Sequence, residues 1–444
     1  MASQDTAEPV KPASVLGVRE AALSNEPNRI KRFFRILGPG IVVGASDDDP
    51  SGIGTYAVAG ATLGFSTLWT ALVTFPMMAA VQFMCAKIGL VTGKGIAAVI
   101  EQNYGRRIVI PLVVGLVIAN TINAGADIGA IAAAVGLLVP VRIISLIVPI
   151  SLALLAVQIW GSYRTISNIF KWLSLALLAY IGAALFAHPT LMEVVRGTFM
   201  PAIHFNSGYL ATLVAILGTT ISPYMFFWQA NQEVEEDIDM GRKYHWQRKG
   251  TTDAELRYAA MDVNIGMFFS NLVMYFIILA TAATLYKSGH THIATAADAA
   301  VALEPLAGHW AKLLLTIGLI GAGCLAIPIL TSSSAYALSE TFHWKFGLSQ
   351  RPGRAIQFYG VIAASMLVGM QINFMGISPI SALFWTAVIN GLLAPVLLVA
   401  IMIVANNNKI MGARVNNAGM NILGWATTVA MFLAAIGLFA TWGK

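Results

Sequence analysis

The fold of this chain is decided by residues 41–54, which read IVVGASDDDPSGIG. Three aspartates, Asp47–Asp49, and the Pro-Ser-Gly sequence after them interrupt an apolar segment that is otherwise long enough to cross a membrane. One carboxylate at membrane depth costs at least about 2.5 kcal/mol on insertion scales. Backbone broken by proline and glycine is tolerated there only where it is buried in protein or lines a watery cavity. Because carboxylate and carbonyl oxygens bind hard cations, the stretch predicts a discontinuous membrane helix with a cation site at its break.

The composition is that of a polytopic α-helical membrane protein. Of the 444 residues, 57% are hydrophobic and only 11% are charged, and the mean hydropathy is +0.73. A soluble protein would carry about 25% charged residues. The two cysteines lie far apart in apolar segments, a spacing that indicates neither a disulfide framework nor a metal site.

Apolar segments long enough to cross about 30 Å of hydrocarbon recur along the chain. They predict an all-α membrane protein of about eleven transmembrane helices, which we number as spans one to eleven. Their predicted bounds are Phe34–Leu63, Thr67–Met84, Ile108–Val139, Ile143–Trp160, Ile166–Phe186, Leu210–Ala230, Val263–Tyr286, Trp310–Ala335, Ala355–Met370, Ile377–Ala405 and Ile422–Thr441.

The distribution of lysine and arginine predicts the orientation of the bundle. If the N-terminus is cytoplasmic, 22 of the 27 lysines and arginines lie on the inner side, as the positive-inside rule requires. This bias explains the net charge of +6, so a nucleic-acid partner is not implied. We expect residues 1–33 to form a disordered cytoplasmic tail, the acidic residues 233–237 to lie in a solvated loop, and the protein to reside in the cell membrane.

A second interruption lies in span six, where residues 217–224 read LGTTISPY. Interrupted helices at matching positions of two halves are the sequence pointer to an inverted-repeat transporter. The two breaks are five spans apart, which predicts a single transmembrane domain (34–441) with repeat one at about 34–187, repeat two at about 207–405 and an extra span at about 422–441. The alternative is that Pro223 only kinks an ordinary helix.

The two breaks together provide candidate ligands for a metal ion. Where a helix stops, its last carbonyl groups are unpaired and carry the negative end of the helix dipole. With the Asp49 carboxylate and the hydroxyls of Ser51, Thr219 and Ser222, they make an all-oxygen cage suited to a hard cation. Alternatively, Asp49 caps the second half-helix, and the span-six hydroxyls bond back to their own helix. Ser51 and Gly52, also counted as candidates, can owe their types to the break itself.

Five further residues are candidates for a vestibule or a relay. Successive side chains point about 100° apart on a helix, so Asp47 and Asp48 cannot serve the same ion as the third aspartate. We interpret them as vestibule or capping acids. Asp127, in span three, is a proton or ion relay or the partner in an interhelical hydrogen bond. Tyr224 and Gln229 follow the break in span six and are candidates for lining the ion path.

These motifs make the chain resemble the Nramp family of divalent metal transporters. The resemblance rests on residues 38–40 (GPG), 49–52 (DPSG) and 219–224 (TTISPY), and it extends to residues 319–323 (LIGAG) in span eight. It implies a LeuT-type fold, a 5+5 inverted repeat in which spans one and six are discontinuous. It also implies that the protein is a secondary transporter of divalent metal cations, not an enzyme, with no permanently bound cofactor.

The chain departs from the family pattern at four site positions. In span one, Gly52 stands where the family has asparagine; in span six, Thr219 replaces alanine, Ser222 replaces methionine and Tyr224 replaces histidine. A thioether favours Mn²⁺ or Fe²⁺, and a hydroxyl removes that preference. The lost asparagine leaves room for water, which suits Mg²⁺ because this ion sheds its waters reluctantly. The pattern therefore resembles the divergent Nramp-related magnesium transporters.

The same departures bear on proton coupling. The family symports protons, and the histidine after the span-six proline belongs to its proton route, but Tyr224 does not titrate near neutral pH without a very large shift. In span three the family carries an aspartate and a glutamate; Asn123 falls nearest the first, and Asp127 is one position from the second. Uncoupled uptake is feasible, because a divalent ion moving inward through −100 mV gains about 4.6 kcal/mol.

The sequence thus predicts a transporter that takes up Mg²⁺, with Mn²⁺ as a second substrate, across the lipid bilayer. One alternative is a proton-coupled Mn²⁺/Fe²⁺ importer of the ordinary Nramp type. Another is a Na⁺-coupled organic solute symporter, which would also use two broken helices, although three aspartates argue against a site for a substrate carboxylate. An intramembrane enzyme would need a second acidic motif facing the first, and span six offers none.

Overall fold

The computed structural model describes residues 38–161, 175–293 and 295–441. The predicted N-terminal tail, 1–33, and the first part of span five lie outside these residues. All regular secondary structure in the described ranges is helical, and nine of the helices found there are long and apolar enough to cross a membrane. The predicted all-α membrane architecture is therefore confirmed.

The first half of the chain forms α1 to α8. Their bounds are α1 Pro39–Asp47, α2 Pro50–Leu63, α3 Trp69–Thr92, α4 Ile96–Tyr104, α5 Arg106–Gly136, α6 Ile143–Trp160, α7 Ala179–Phe186 and α8 Leu191–Phe199. Helices α1 and α2 are the two parts of span one, and α3, α5 and α6 are spans two to four.

The second half forms α9 to α19. Their bounds are α9 Ser207–Thr220, α10 Pro223–Asp239, α11 His245–Arg248, α12 Asp253–Thr281, α13 Ala296–Val301, α14 Glu304–Ala307, α15 Ala311–Phe342, α16 Ile356–Gly369, α17 Pro379–Ala405, α18 Asn408–Met411 and α19 Ala418–Thr441. Helices α9 and α10 are the two parts of span six. Spans seven, eight, nine, ten and eleven are α12, α15, α16, α17 and α19.

Both predicted breaks are present, and proline explains where each helix resumes. Pro50 is the first residue of α2, and Pro223 is the first residue of α10. Proline has no N–H to donate and its φ is already helical, so it suits the first position of a helix. The residues before the two prolines, Asp49 and Ser222, are extended, as expected for a residue that precedes proline.

Several helices continue beyond their predicted ends, and the longest extensions lie at the face of the bundle at which α1 begins. Span two was expected to end at Met84 but α3 reaches Thr92, and span eight was expected to end at Ala335 but α15 reaches Phe342. Hydropathy reports contact with lipid, whereas these ends are stabilised by buried polar contacts. For example, the Glu340 carboxylate accepts a hydrogen bond of 2.8 Å from the Gly95 backbone N–H.

The expectation of a solvated loop at residues 233–237 is wrong. These residues form the last turns of α10, and Glu233 and Asp237 are buried. The Arg242 guanidinium lies 2.8 Å from the Asp237 carboxylate and also pairs with Glu255 of α12. A buried cation between two carboxylates holds this end of the helix inside the protein.

Helix α12 supports span one along both of its parts. At the start of α1, the backbone N–H groups of Gly38, Gly40 and Ile41 donate to the Asp262 carboxylate over 2.6–3.1 Å. Further along, Gly44 meets the backbone of Gly266 so closely that a Cβ on Gly44 would overlap it. Small residues permit such close helix packing in membranes. One continuous helix therefore fixes the position of α1.

Candidate metal site

The breaks in spans one and six lie against each other in the middle of the bundle. The Tyr224 hydroxyl donates to the Ser46 carbonyl oxygen over 2.9 Å, which joins α10 to α1. A Cβ placed on Gly52 would lie 3.1 Å from the Asp47 carbonyl oxygen and 3.2 Å from Oγ1 of Thr219. Backbone oxygen from one break and a hydroxyl from the other thus border the same small space.

Asp49 caps the N-terminus of α2. Its Oδ1 accepts hydrogen bonds of 2.7 Å from both Ser51 Oγ and the Gly52 backbone N–H, and its Oδ2 accepts one of 3.0 Å from Asn123 Nδ2. The side chain is 1% exposed. A carboxylate oxygen has more than one lone pair, so these bonds fix the orientation of Asp49 and leave acceptor capacity for a cation.

Asn123 links two buried carboxylates. Its Nδ2 donates to Asp49 and, over 3.3 Å, to Oδ2 of Asp127, while its Oδ1 accepts from Asn390 Nδ2 over 3.4 Å. Asp127 therefore lies beside the break, and its Oδ1 has no hydrogen-bond partner among the described residues. Sequence reasoning did not select Asn390, although an asparagine within the apolar span ten is a signal that was available.

The other two aspartates of span one have different surroundings. Asp47 accepts a hydrogen bond from Ser270 Oγ, which ties it to α12. Asp48 is 5% exposed, and its Oδ1 has no partner within the described part of the chain. The three carboxylates do not converge, and the described residues contain no group of three His, Cys, Asp or Glu side chains placed to hold a metal ion.

The hydroxyls of span six differ in availability. Ser222 Oγ donates back to the carbonyl oxygens of Gly218 and Thr219 over 2.6 and 2.8 Å. This is the alternative that the sequence left open for Ser222. In contrast, the Thr219 hydroxyl does not bond back to its own helix; it lies beside the Tyr56 side chain and borders the space at Gly52. Thr219 is therefore the span-six side chain better placed to contact an ion or its water.

Tyr224 and Gln229 are both buried in α10. The Tyr224 hydroxyl donates to α1, and the Tyr224 carbonyl oxygen accepts a hydrogen bond of 2.9 Å from Ser333 Oγ of α15. The residue therefore joins three helices. Gln229 Nε2 donates to Glu233 over 3.0 Å. These contacts place Tyr224 at the junction of the two breaks and Gln229 further along α10, next to the buried acid of that helix.

The site is closed and its potential ligands are all oxygen atoms. The side chains at both breaks are at most 5% exposed. A cavity of about 880 Å³ lies at the face where α1 begins, bordered among others by Glu235, Arg248 and Glu340, but no residue of either break lines it. Beside the break, next to Pro50 and Leu383, the free volume is about 10 Å³, and a cavity of about 510 Å³ beside Thr62 and Tyr209 is also lined by no residue of either break. The arrangement suits an occluded hard cation.

Comparison with known proteins identifies the family that the sequence motifs resemble. The family model described as natural resistance-associated macrophage protein-like (Nramp) matches residues 40–441. The chain is 26% identical over 412 residues to the divalent metal cation transporter MntH of Klebsiella pneumoniae, and the match covers 91% of this chain and 94% of that protein.

Solved structures share the fold. The manganese transporter of Eremococcus coleocola matches with a TM-score of 0.70 at 17% identity, covering 94% of this chain and 88% of that one. An inward-facing structure of Mhp1 matches with a TM-score of 0.54 at 15% identity, covering 91% and 88%. These likenesses confirm the predicted LeuT-type fold with discontinuous spans one and six.

Proposed function

Since this chain belongs to the Nramp family, whose model matches residues 40–441, we propose that it carries Mg²⁺ inward, with Mn²⁺ as a second substrate and without coupled protons. It is an integral membrane transporter of divalent metal cations, not an enzyme, and the metal is its substrate. We further propose that it resides in the cell membrane with its N-terminus in the cytoplasm, which the positive-inside rule supports.

The observation that carries the proposal of Mg²⁺ is the chemistry around Gly52. Gly52 is bordered by the Asp47 carbonyl oxygen and the Thr219 hydroxyl, and its backbone N–H donates to the Asp49 carboxylate over 2.7 Å. Neither sulfur nor imidazole is among these groups. Thioether ligands favour softer ions, whereas oxygen ligands with room for water suit an ion that keeps part of its hydration shell.

The hydrogen bond made by the Tyr224 hydroxyl supports transport that is not coupled to protons. It donates to the Ser46 carbonyl oxygen and so acts as a tie between helices. A divalent ion that moves inward through a membrane potential of −100 mV gains about 4.6 kcal/mol, which is enough to accumulate the ion without protons.

One feature favours a second candidate, the proton-coupled Mn²⁺/Fe²⁺ importer. Asp127 is fully buried, shares the Asn123 amide with Asp49, and has one carboxylate oxygen without a partner in the described ranges. A buried carboxyl group next to the metal ligand is suited to pick up a proton when the ion arrives or leaves.

The test uses the purified protein in liposomes that contain a Mg²⁺ dye and a pH reporter. We expect Mg²⁺ influx that is driven by the membrane potential and causes no acidification. Asp49→Ala abolishes it, whereas Glu304→Ala, which removes an exposed carboxylate at the start of α14, leaves it unchanged. Influx of Mn²⁺ alone, with acidification that Asp127→Asn removes, would replace this proposal by the second candidate.

A further inference from the structure

Tyr56 of α2 is a buried residue that neither the sequence motifs nor the site described above account for. It is 0% exposed, and its hydroxyl has no hydrogen-bond partner of normal geometry among the described residues. A buried hydroxyl without a partner carries a desolvation cost, so such a group calls for an explanation. Tyr56 lies one turn after Gly52 and therefore on the same face of the helix.

The surroundings of Tyr56 place its ring against Gly52, where the two breaks meet. A Cβ on Gly52 would lie 3.3 Å from Cε2 of the Tyr56 ring, as well as 3.2 Å from Thr219 Oγ1 and 3.1 Å from the Asp47 carbonyl oxygen. Tyr56 and Thr219 are neighbours, yet neither hydroxyl makes a hydrogen bond of acceptable geometry within the described ranges. The Thr219 hydroxyl, one backbone oxygen and the edge of the Tyr56 ring thus surround one point.

The chemistry of these groups matches a hydrated cation. Water bound to a metal ion donates hydrogen bonds, and a phenolic or aliphatic hydroxyl accepts them. Gly52 places no side chain of its own among these groups. We propose that Tyr56 is a specificity-determining residue whose hydroxyl, together with that of Thr219, binds the water shell of the transported ion. The inference rests on the proposed function, because Mg²⁺ retains its waters more than softer ions do.

The first experiment compares Tyr56→Phe with a matched control in the liposome assay. Tyr180 on α7 is equally buried, its hydroxyl is likewise without a partner among described residues, and it lies outside both breaks. We expect Y56F to raise the KM for Mg²⁺ about fivefold and the KM for Mn²⁺ less than about twofold. Y180F leaves both unchanged. An equal change for the two ions, or no change in Y56F, would overturn the inference.

A double-mutant cycle provides an independent measurement. If Tyr56 and Thr219 bind the same water shell, the effects of Y56F and T219V on the KM for Mg²⁺ are not additive, whereas additive effects contradict a shared role. Thermal unfolding of each variant verifies that it is folded. A wild-type protein that carries Mn²⁺ but no Mg²⁺ overturns the proposed function and this inference together; Mg²⁺ uptake that is insensitive to Y56F overturns only the inference.

Discussion

In span one the helix stops at Asp47 and resumes at Pro50, and three carboxylates lie at the break. In span six the helix stops at Thr220 and resumes at Pro223, and the polar side chains at the break are hydroxyls. Both leave unpaired carbonyl groups at a helix end. Only the first adds formal negative charge. The difference suggests a division of work, in which span one supplies the attraction for a divalent cation and span six shapes the space around it.

The two spans also differ in how they are supported. Helix α12 contacts span one along its length. Examples are Asp262 at the start of α1, Ser270 at the end of α1 and Thr281 beside Gly60 of α2. The parts of span six pack mainly against different helices. Gly218 of α9 meets the backbone of α17, whereas α10 packs against α3 and α15. Span one therefore has one continuous support, and the two parts of span six have separate ones.

The largest expected effect tests the division between charge and shape. Asp49→Asn keeps the size of the side chain and removes the charge, so we expect uptake of Mg²⁺ and Mn²⁺ to fall about a hundredfold or more. Thr219→Val removes one neutral hydroxyl and should raise the KM for Mg²⁺ about fivefold. Initial rates in liposomes measure both. If the two variants were equally impaired, the breaks would not differ in the way described.

The next effect tests the continuous support of span one. Gly44→Ala places a methyl group against the backbone of Gly266, and overpacking of this kind costs about 1–3 kcal/mol. We expect a lower unfolding temperature in detergent and reduced uptake, because α1 is displaced from α12. Gly360→Ala in α16 is the matched control, since nothing lies within 4 Å of a Cβ there. Equal unfolding temperatures for the two variants would contradict the close packing of α1.

A third variant changes the space between the two breaks. Gly52→Asn adds an amide next to the Asp47 carbonyl oxygen and the Thr219 hydroxyl. The side chain enters the gap between the breaks in which we propose that the water shell of the ion lies, so we expect the preference for Mg²⁺ over Mn²⁺ to fall about tenfold, mainly through the KM for Mg²⁺. Competition between the two ions in one uptake assay measures this ratio. An unchanged ratio with normal rates would mean that water next to residue 52 does not govern selectivity.

The breaks were predictable from sequence because proline and adjacent carboxylates act locally and are conspicuous in an apolar segment. The partners of those carboxylates were not. Asn123 and Asn390, which are linked to Asp49, and Ser270, which holds Asp47, come from helices that are distant in sequence. A lone serine or asparagine in a membrane helix equally well bonds to its own backbone. Their roles follow only once the helices are packed.

The smallest expected change in uptake concerns Ser222, at the break in span six. Its hydroxyl donates back to the Gly218 and Thr219 carbonyl oxygens, so Ser222→Ala removes only a local bond, and we expect less than about a threefold change in uptake. Ser222→Met is the informative partner, because a thioether at the break should shift preference towards Mn²⁺. Both are measured by competition between Mg²⁺ and Mn²⁺. If the methionine variant kept the wild-type preference, residue 222 would not face the ion, and the contribution of span six would come from Thr219 and the carbonyl groups at the end of α9.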